Sequence, residues 1–72
     1  MENKRIEFGK RLKALRKSKG LSQYRLANLL DVEHPNVCFW EQGRSYPRIG
    51  SLIKLSEVFG VSIDWLLKGK DV

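Results

Sequence analysis

The chain has 72 residues, 42% hydrophobic and 31% charged, with two prolines, one cysteine and a net charge of +6 at pH 7. That length suits one small domain burying about 60% of its unfolded surface, and the composition excludes a disordered chain. The positive charge favours an anionic partner such as nucleic acid or a membrane surface, without choosing between them.

Phe8, Leu12 and Leu15 recur at spacings of four and three, which predicts a first helix over about residues 6 to 19, ending at Gly20. Its basic residues Lys4, Arg5, Lys10, Arg11, Lys13, Arg16, Lys17 and Lys19 read most simply as a solvated face. In "LSQYRLANLL", Ser22 is a good N-cap, and Leu26, Ala27 and Leu30 supply the buried face of a short second helix. Arg25 stands where a capping box would place Glu. A tight turn follows at "DVE", where Asp31 tolerates a left-handed backbone.

The third helix starts near His34, and Pro35 in its first turn forfeits only an N–H that lacks an intrahelical partner. Within "HPNVCFWEQG", neighbouring side chains diverge by about 100°, so Phe39 and Trp40 cannot both face one core. Gly43 ends this helix, and "GRSYPR" is a turn-rich loop. Ile49, Leu52, Leu55 and Phe59 then predict a fourth, core helix up to Gly60. A fifth repeats the formula, with Ser62 as N-cap, Asp64 against the dipole, Leu66 and Leu67 apolar, and Gly69 as terminator.

No apolar run approaches the roughly 20 residues of a membrane span, and the N-terminus lacks a signal peptide's apolar core. With Cys38 alone excluding an internal disulfide, a cytoplasmic protein without membrane association is expected. One His, one Cys, no glycine-rich phosphate loop and no acid pair with a plausible pocket argue against an enzyme. His34 and Cys38 stand four apart, but two ligands do not make a zinc site, so neither metal nor cofactor is expected. No small-molecule ligand is evident.

Helices two and three, joined by so short a turn, must cross steeply, which is a helix-turn-helix. At this point "LSQYRLANLLDV", "VCFWEQG", the following proline and "LIKLSEVFGVSIDWLLKG" resemble the lambda-repressor-like family of phage and bacterial regulators. The resemblance covers about residues 6 to 69. Its specificity lies in the joint spacing of Gln23, Ala27, Val32, Val37, Trp40, Glu41, Gly43 and Pro47 with the "GVSIDWLL" ending. It implies an all-α, compact five-helix bundle over residues 1–72, ordered over about 6–69, with helix three in the DNA major groove and helix two across the backbone. The implied function is a sequence-specific transcriptional regulator, a repressor binding double-stranded DNA as a homodimer on a pseudo-palindromic operator.

By the same resemblance Val37 and Trp40 point inward, while His34, Pro35, Asn36 and Phe39 fall on base-reading positions. Phe can pack on thymine methyls, His can donate or accept, and Asn36 can read adenine or serve a phosphate or the helix start; Pro35 offers only shape. Phe39 as a lone surface aromatic, or as a protein contact, is the competing assignment. Gln23 resembles the family's phosphate-anchoring glutamine. Arg44 and Arg48 reach for phosphate, and Gln42 joins them; mobile surface charge is the plainer alternative. An acid on a groove-facing helix repels phosphate unless turned inward and paired, and the family pattern offers Arg16 as the partner of Glu41.

Because the chain stops at Val72, no ligand-sensing or self-cleaving domain is expected after the reader. A second function class stays open beside the regulator: an antitoxin-like or adaptor module that turns the exposed face of helix three to a protein.

Overall fold

Asn3 starts the first helix ahead of the apolar stripe: its side-chain oxygen accepts from the backbone N–H groups of Arg5 and Ile6 at 3.0 and 3.4 Å. The computed structural model describes residues 3–70, and the two residues at each end of the expected 1–72 domain lie outside this description. Five helices and no strand occur among the described residues: α1 Lys4–Ser18, α2 Gln23–Leu30, α3 His34–Glu41, α4 Ile49–Phe59 and α5 Ile63–Lys68.

Helix ends follow the local chemistry. Ser22 and Ser62 cap α2 and α5 by accepting from Arg25 N–H and Trp65 N–H, at 3.0 and 2.9 Å. At the end of α2, Asp31 adopts the left-handed conformation (φ 58°, ψ 45°), and the N–H of Val32 then closes on Ala27 O at 3.0 Å. That reversal lets α3 begin three residues later, folded across α2.

One apolar cluster unites all five helices. Phe8 and Leu12 of α1, Leu26, Ala27 and Leu30 of α2, Val37 and Trp40 of α3, Leu52, Leu55 and Phe59 of α4, and Leu66 of α5 are all buried. Each large apolar side chain so buried contributes about 1.5–3 kcal/mol. Ile49, expected in the core, is instead 67% exposed. It is the first residue of α4, at the edge of the stripe formed by Leu52, Leu55 and Phe59, and no helix passes over it.

Two contacts fix α1 against its neighbours. At Gly9 a Cβ would sit 2.5 Å from the carbonyl oxygen of Glu41 and 2.6 Å from that of Trp40, so the backbones of α1 and the end of α3 are in direct contact there. Arg11 donates from Nε and Nη2 to Leu66 O at 3.1 and 2.9 Å, holding the last turn of α5 to the middle of α1.

Candidate nucleic-acid interface

Burial divides α3 into faces. Val37 and Trp40 are 0% and 5% exposed and lie against the core, whereas Pro35, Asn36, Phe39 and Gln42 face solvent. Phe39, with 40% of its surface exposed, is the outward ring of the adjacent pair, and Arg44 holds its guanidinium 5.5 Å from the ring centre. Asn36 lies on the flank toward α4, where it shares a surface groove with Tyr46 and Arg48. Asp31 and Glu33 line that groove too.

The opposite flank of α3 is occupied by a continuous polar network. Arg16 grips Glu41 with two bonds, Nε to Oε2 at 2.6 Å and Nη2 to Oε1 at 3.0 Å, and its Nη1 donates to Leu21 O at 2.8 Å. The two side chains are only 10% and 4% exposed. Hydrogen bonding to Glu41 raises the Arg16 pKa above its ordinary value, against the lowering effect of burial, and the Glu41 charge adds to the rise. This fork joins the end of α1 to the end of α3 and removes the carboxylate from the outward face.

Gln23 extends the network outward. Its Nε2 donates to Glu41 Oε1 at 3.0 Å, and its Oε1 lies 3.1 Å from His34 Nε2 and 2.9 Å from Cys38 Sγ. The His34 ring stacks on Tyr24 with centroids 3.8 Å apart and planes 9° from parallel.

The Gln23 amide, for which a phosphate contact is expected, meets protein partners here and adds a third hydrogen bond to the buried Glu41 carboxylate. What α2 presents outward at this point is its N-terminal turn. His34 is half-buried between Tyr24 and Gln23, Arg48 and Asn36 are grouped apart from it, and Gln42 and Arg44 follow on the exposed side.

Sequence reasoning missed Tyr24, which is 67% exposed yet orients the histidine, and the inward engagement of Cys38. A local signal existed for the second: His34 and Cys38 are four apart on one helix and therefore neighbours, with Sγ and Nε2 3.5 Å apart. No group of three or more His, Cys, Asp or Glu side chains placed to hold a metal occurs among the described residues. No described helix is long and apolar enough to cross a membrane.

Two short helices hinged at a left-handed residue, the second presenting a solvent-facing stripe beside the end of the first, define a helix-turn-helix. A family model described as Helix-turn-helix matches residues 12–66, and the chain belongs to that family. It is 47% identical over 62 residues to a regulator of Bacillus subtilis (strain 168), the SPbeta prophage-derived uncharacterized HTH-type transcriptional regulator YonR, covering 86% of this chain and 57% of the relative. The HTH-type transcriptional regulator DicA of Escherichia coli (strain K12) is 37% identical over 71 residues, covering 99% of this chain and 53% of DicA. The chain therefore spans a little over half the length of these two curated relatives. Among solved structures, the P22 c2 repressor protein in complex with synthetic operator 9T superposes with a TM-score of 0.84 at 32% identity, covering 88% of this chain and 96% of that one.

Proposed function

We propose that this chain is a sequence-specific DNA-binding transcriptional regulator, a cytoplasmic repressor that acts by occupying an operator with α3 in the major groove. The observation that carries the proposal is the outward stripe of Pro35 and Phe39 on α3, continued by Gln42 at its C-cap, on a helix whose one acid, Glu41, is withdrawn into an ion pair. A groove-reading helix needs that arrangement, since a free carboxylate there would be repelled by phosphate. The net charge of +6 and the repressor–operator structure with the same fold support it. The relatives' role is regulatory, and no enzymatic function is proposed.

A second copy of the chain belongs to the proposal, because a lone reader of this size contacts too few bases for useful specificity. Ile49 and Ile53, 67% and 46% exposed and one turn apart on α4, offer an apolar surface for it.

Salt titration of binding to duplex DNA tests the phosphate contacts. Arg44→Ala and Arg48→Ala should weaken specific and random duplex alike and reduce the salt slope by about one per lost contact per subunit. A loss confined to the specific site would reassign that arginine to base reading. Binding without any salt slope would contradict the proposal and favour a protein partner for α3.

Phe39 tests direct reading. Its ring is 40% exposed and lies outside the core cluster, so Phe39→Ala should move the melting temperature by only a few degrees. The same change should remove about 1 to 3 kcal/mol of preference at one base pair per half-site, by loss of packing on a thymine methyl. Uracil in place of that thymine should weaken the wild type and leave Phe39→Ala indifferent. Loss of folding in Phe39→Ala would instead make the ring a core residue.

A further inference from the structure

We propose that His34 reads its base as a hydrogen-bond acceptor through Nδ1, its polarity set from inside the protein by Glu41 acting through the amide of Gln23. The inference rests on the DNA-binding proposal and adds to it the chemistry of one contact. Glu41 and Gln23 are positioning residues here, and His34 alone would touch DNA.

The chain of contacts starts at the buried end. A carboxylate can only accept, so the atom of Gln23 that lies 3.0 Å from Glu41 Oε1 must be the NH₂ nitrogen. Arg16 grips that carboxylate with a two-bond fork, so it cannot turn away to suit the glutamine. Fixing one end of the amide fixes the other: Oε1 faces His34 and Cys38. A carbonyl oxygen can only accept, so the imidazole nitrogen 3.1 Å from it must carry the proton. With the opposite tautomer, two lone pairs would oppose each other at that distance. Cys38 donates its S–H to the same oxygen at 2.9 Å, which fills the second lone pair.

The neutral ring therefore holds its proton on Nε2, and Nδ1 is left as an acceptor with no hydrogen-bond partner among the described residues. Tyr24 covers a ring face and not the ring edge, so stacking steadies the imidazole without occupying that nitrogen. In the major groove an acceptor matches the exocyclic amino groups, N6 of adenine or N4 of cytosine, and is opposed by O6 of guanine or O4 of thymine.

Two measurements test this. His34 is the only histidine in the sequence, so nitrogen-15 NMR of the free protein, at a pH that leaves the ring neutral, reports its tautomer without ambiguity. Nε2–H is expected in the wild type. In Glu41→Gln the new amide can donate to Gln23 and let it flip, and the tautomer should then move toward Nδ1–H. A wild-type Nδ1–H tautomer overturns the proposal whether or not Glu41→Gln folds.

The second measurement uses DNA. The base pair read by His34 is the one whose preference His34→Ala relaxes in sequences selected from a random duplex pool. Every base pair carries both an amino and a keto group in the major groove, so the selected letters alone do not reveal the polarity. Deleting the amino group, with purine for adenine or 2-pyrimidinone for cytosine, should weaken wild-type binding roughly three- to tenfold, the net worth of one hydrogen bond, and leave His34→Ala unaffected. Sensitivity to sulfur replacement of the keto oxygen, with indifference to the amino group, overturns the proposal. If no sequence is selected at all, the DNA-binding proposal falls and takes this one with it. A selected site insensitive to both groups overturns only the role of His34.

Discussion

Arg16→Met is expected to lower stability by about 3 to 5 kcal/mol, because it leaves the Glu41 carboxylate, 4% exposed, with Gln23 as its remaining side-chain donor. For a small domain whose total stability is on the order of 5 to 10 kcal/mol, that is enough to bring the protein close to unfolding at ambient temperature. The double variant Arg16→Met with Glu41→Gln should be more stable than Arg16→Met alone, since an absent pair costs less than an unpaired buried charge. Urea denaturation of the wild type, both single variants and the double variant measures the coupling. Effects that add to within about 0.5 kcal/mol would show the fork contributes no interaction of its own.

Gly9→Ala is the second large effect. Alanine is the better helix former by about 1 kcal/mol, so an open site would gain from the change. At Gly9, however, the new methyl would meet two backbone carbonyl oxygens at 2.5 and 2.6 Å, and backbone cannot move aside as a flexible side chain can. The end of α3 must shift from α1, carrying Glu41 away from Arg16. A net loss of about 2 to 3 kcal/mol is expected, seen as a fall of roughly 10 to 20 °C in melting temperature. Gly50, also in a helix, has open space around its would-be methyl, and Gly50→Ala should be neutral or stabilising. Equal stability of the two variants would contradict the close approach of α1 and α3.

These two sites mark the boundary of what the sequence reveals. Helix positions were legible because each element carries its own signal: the Phe8–Leu12–Leu15 stripe, Ser22 and Ser62 as caps, Asp31 and Gly60 as left-handed stops. Val37 and Trp40 could be placed inward from the family pattern, and one helical turn puts them on the same face. Gly9 was not legible, because its reason is the approach of a helix more than thirty residues away in sequence; only the cost of a glycine inside a helix hints at it. Ile49 misled for the opposite reason, since its spacing is right and only the absence of a covering helix exposes it.

In the candidate interface the outward direction of Phe39 was legible from helical geometry together with the family pattern, which gives Trp40 to the core. The inward turn of Gln23 did not. It depends on where the buried carboxylate of Glu41 lies relative to α2, which leaves no trace in local spacing. Tyr24 is similar: its value lies in stacking on a histidine brought to it by the turn at Asp31.

The most direct test of the account is selection of bound sequences by the purified 72-residue protein from a random duplex pool, at a stated salt concentration. A sequence-specific dimeric reader predicts a pseudo-palindrome whose half-sites are centred about one helical turn, roughly 10 base pairs, apart. Within each half-site, one position should lose its preference with Phe39→Ala and another with His34→Ala. A single asymmetric half-site would contradict the dimer, and no enrichment of any sequence would contradict DNA reading by α3.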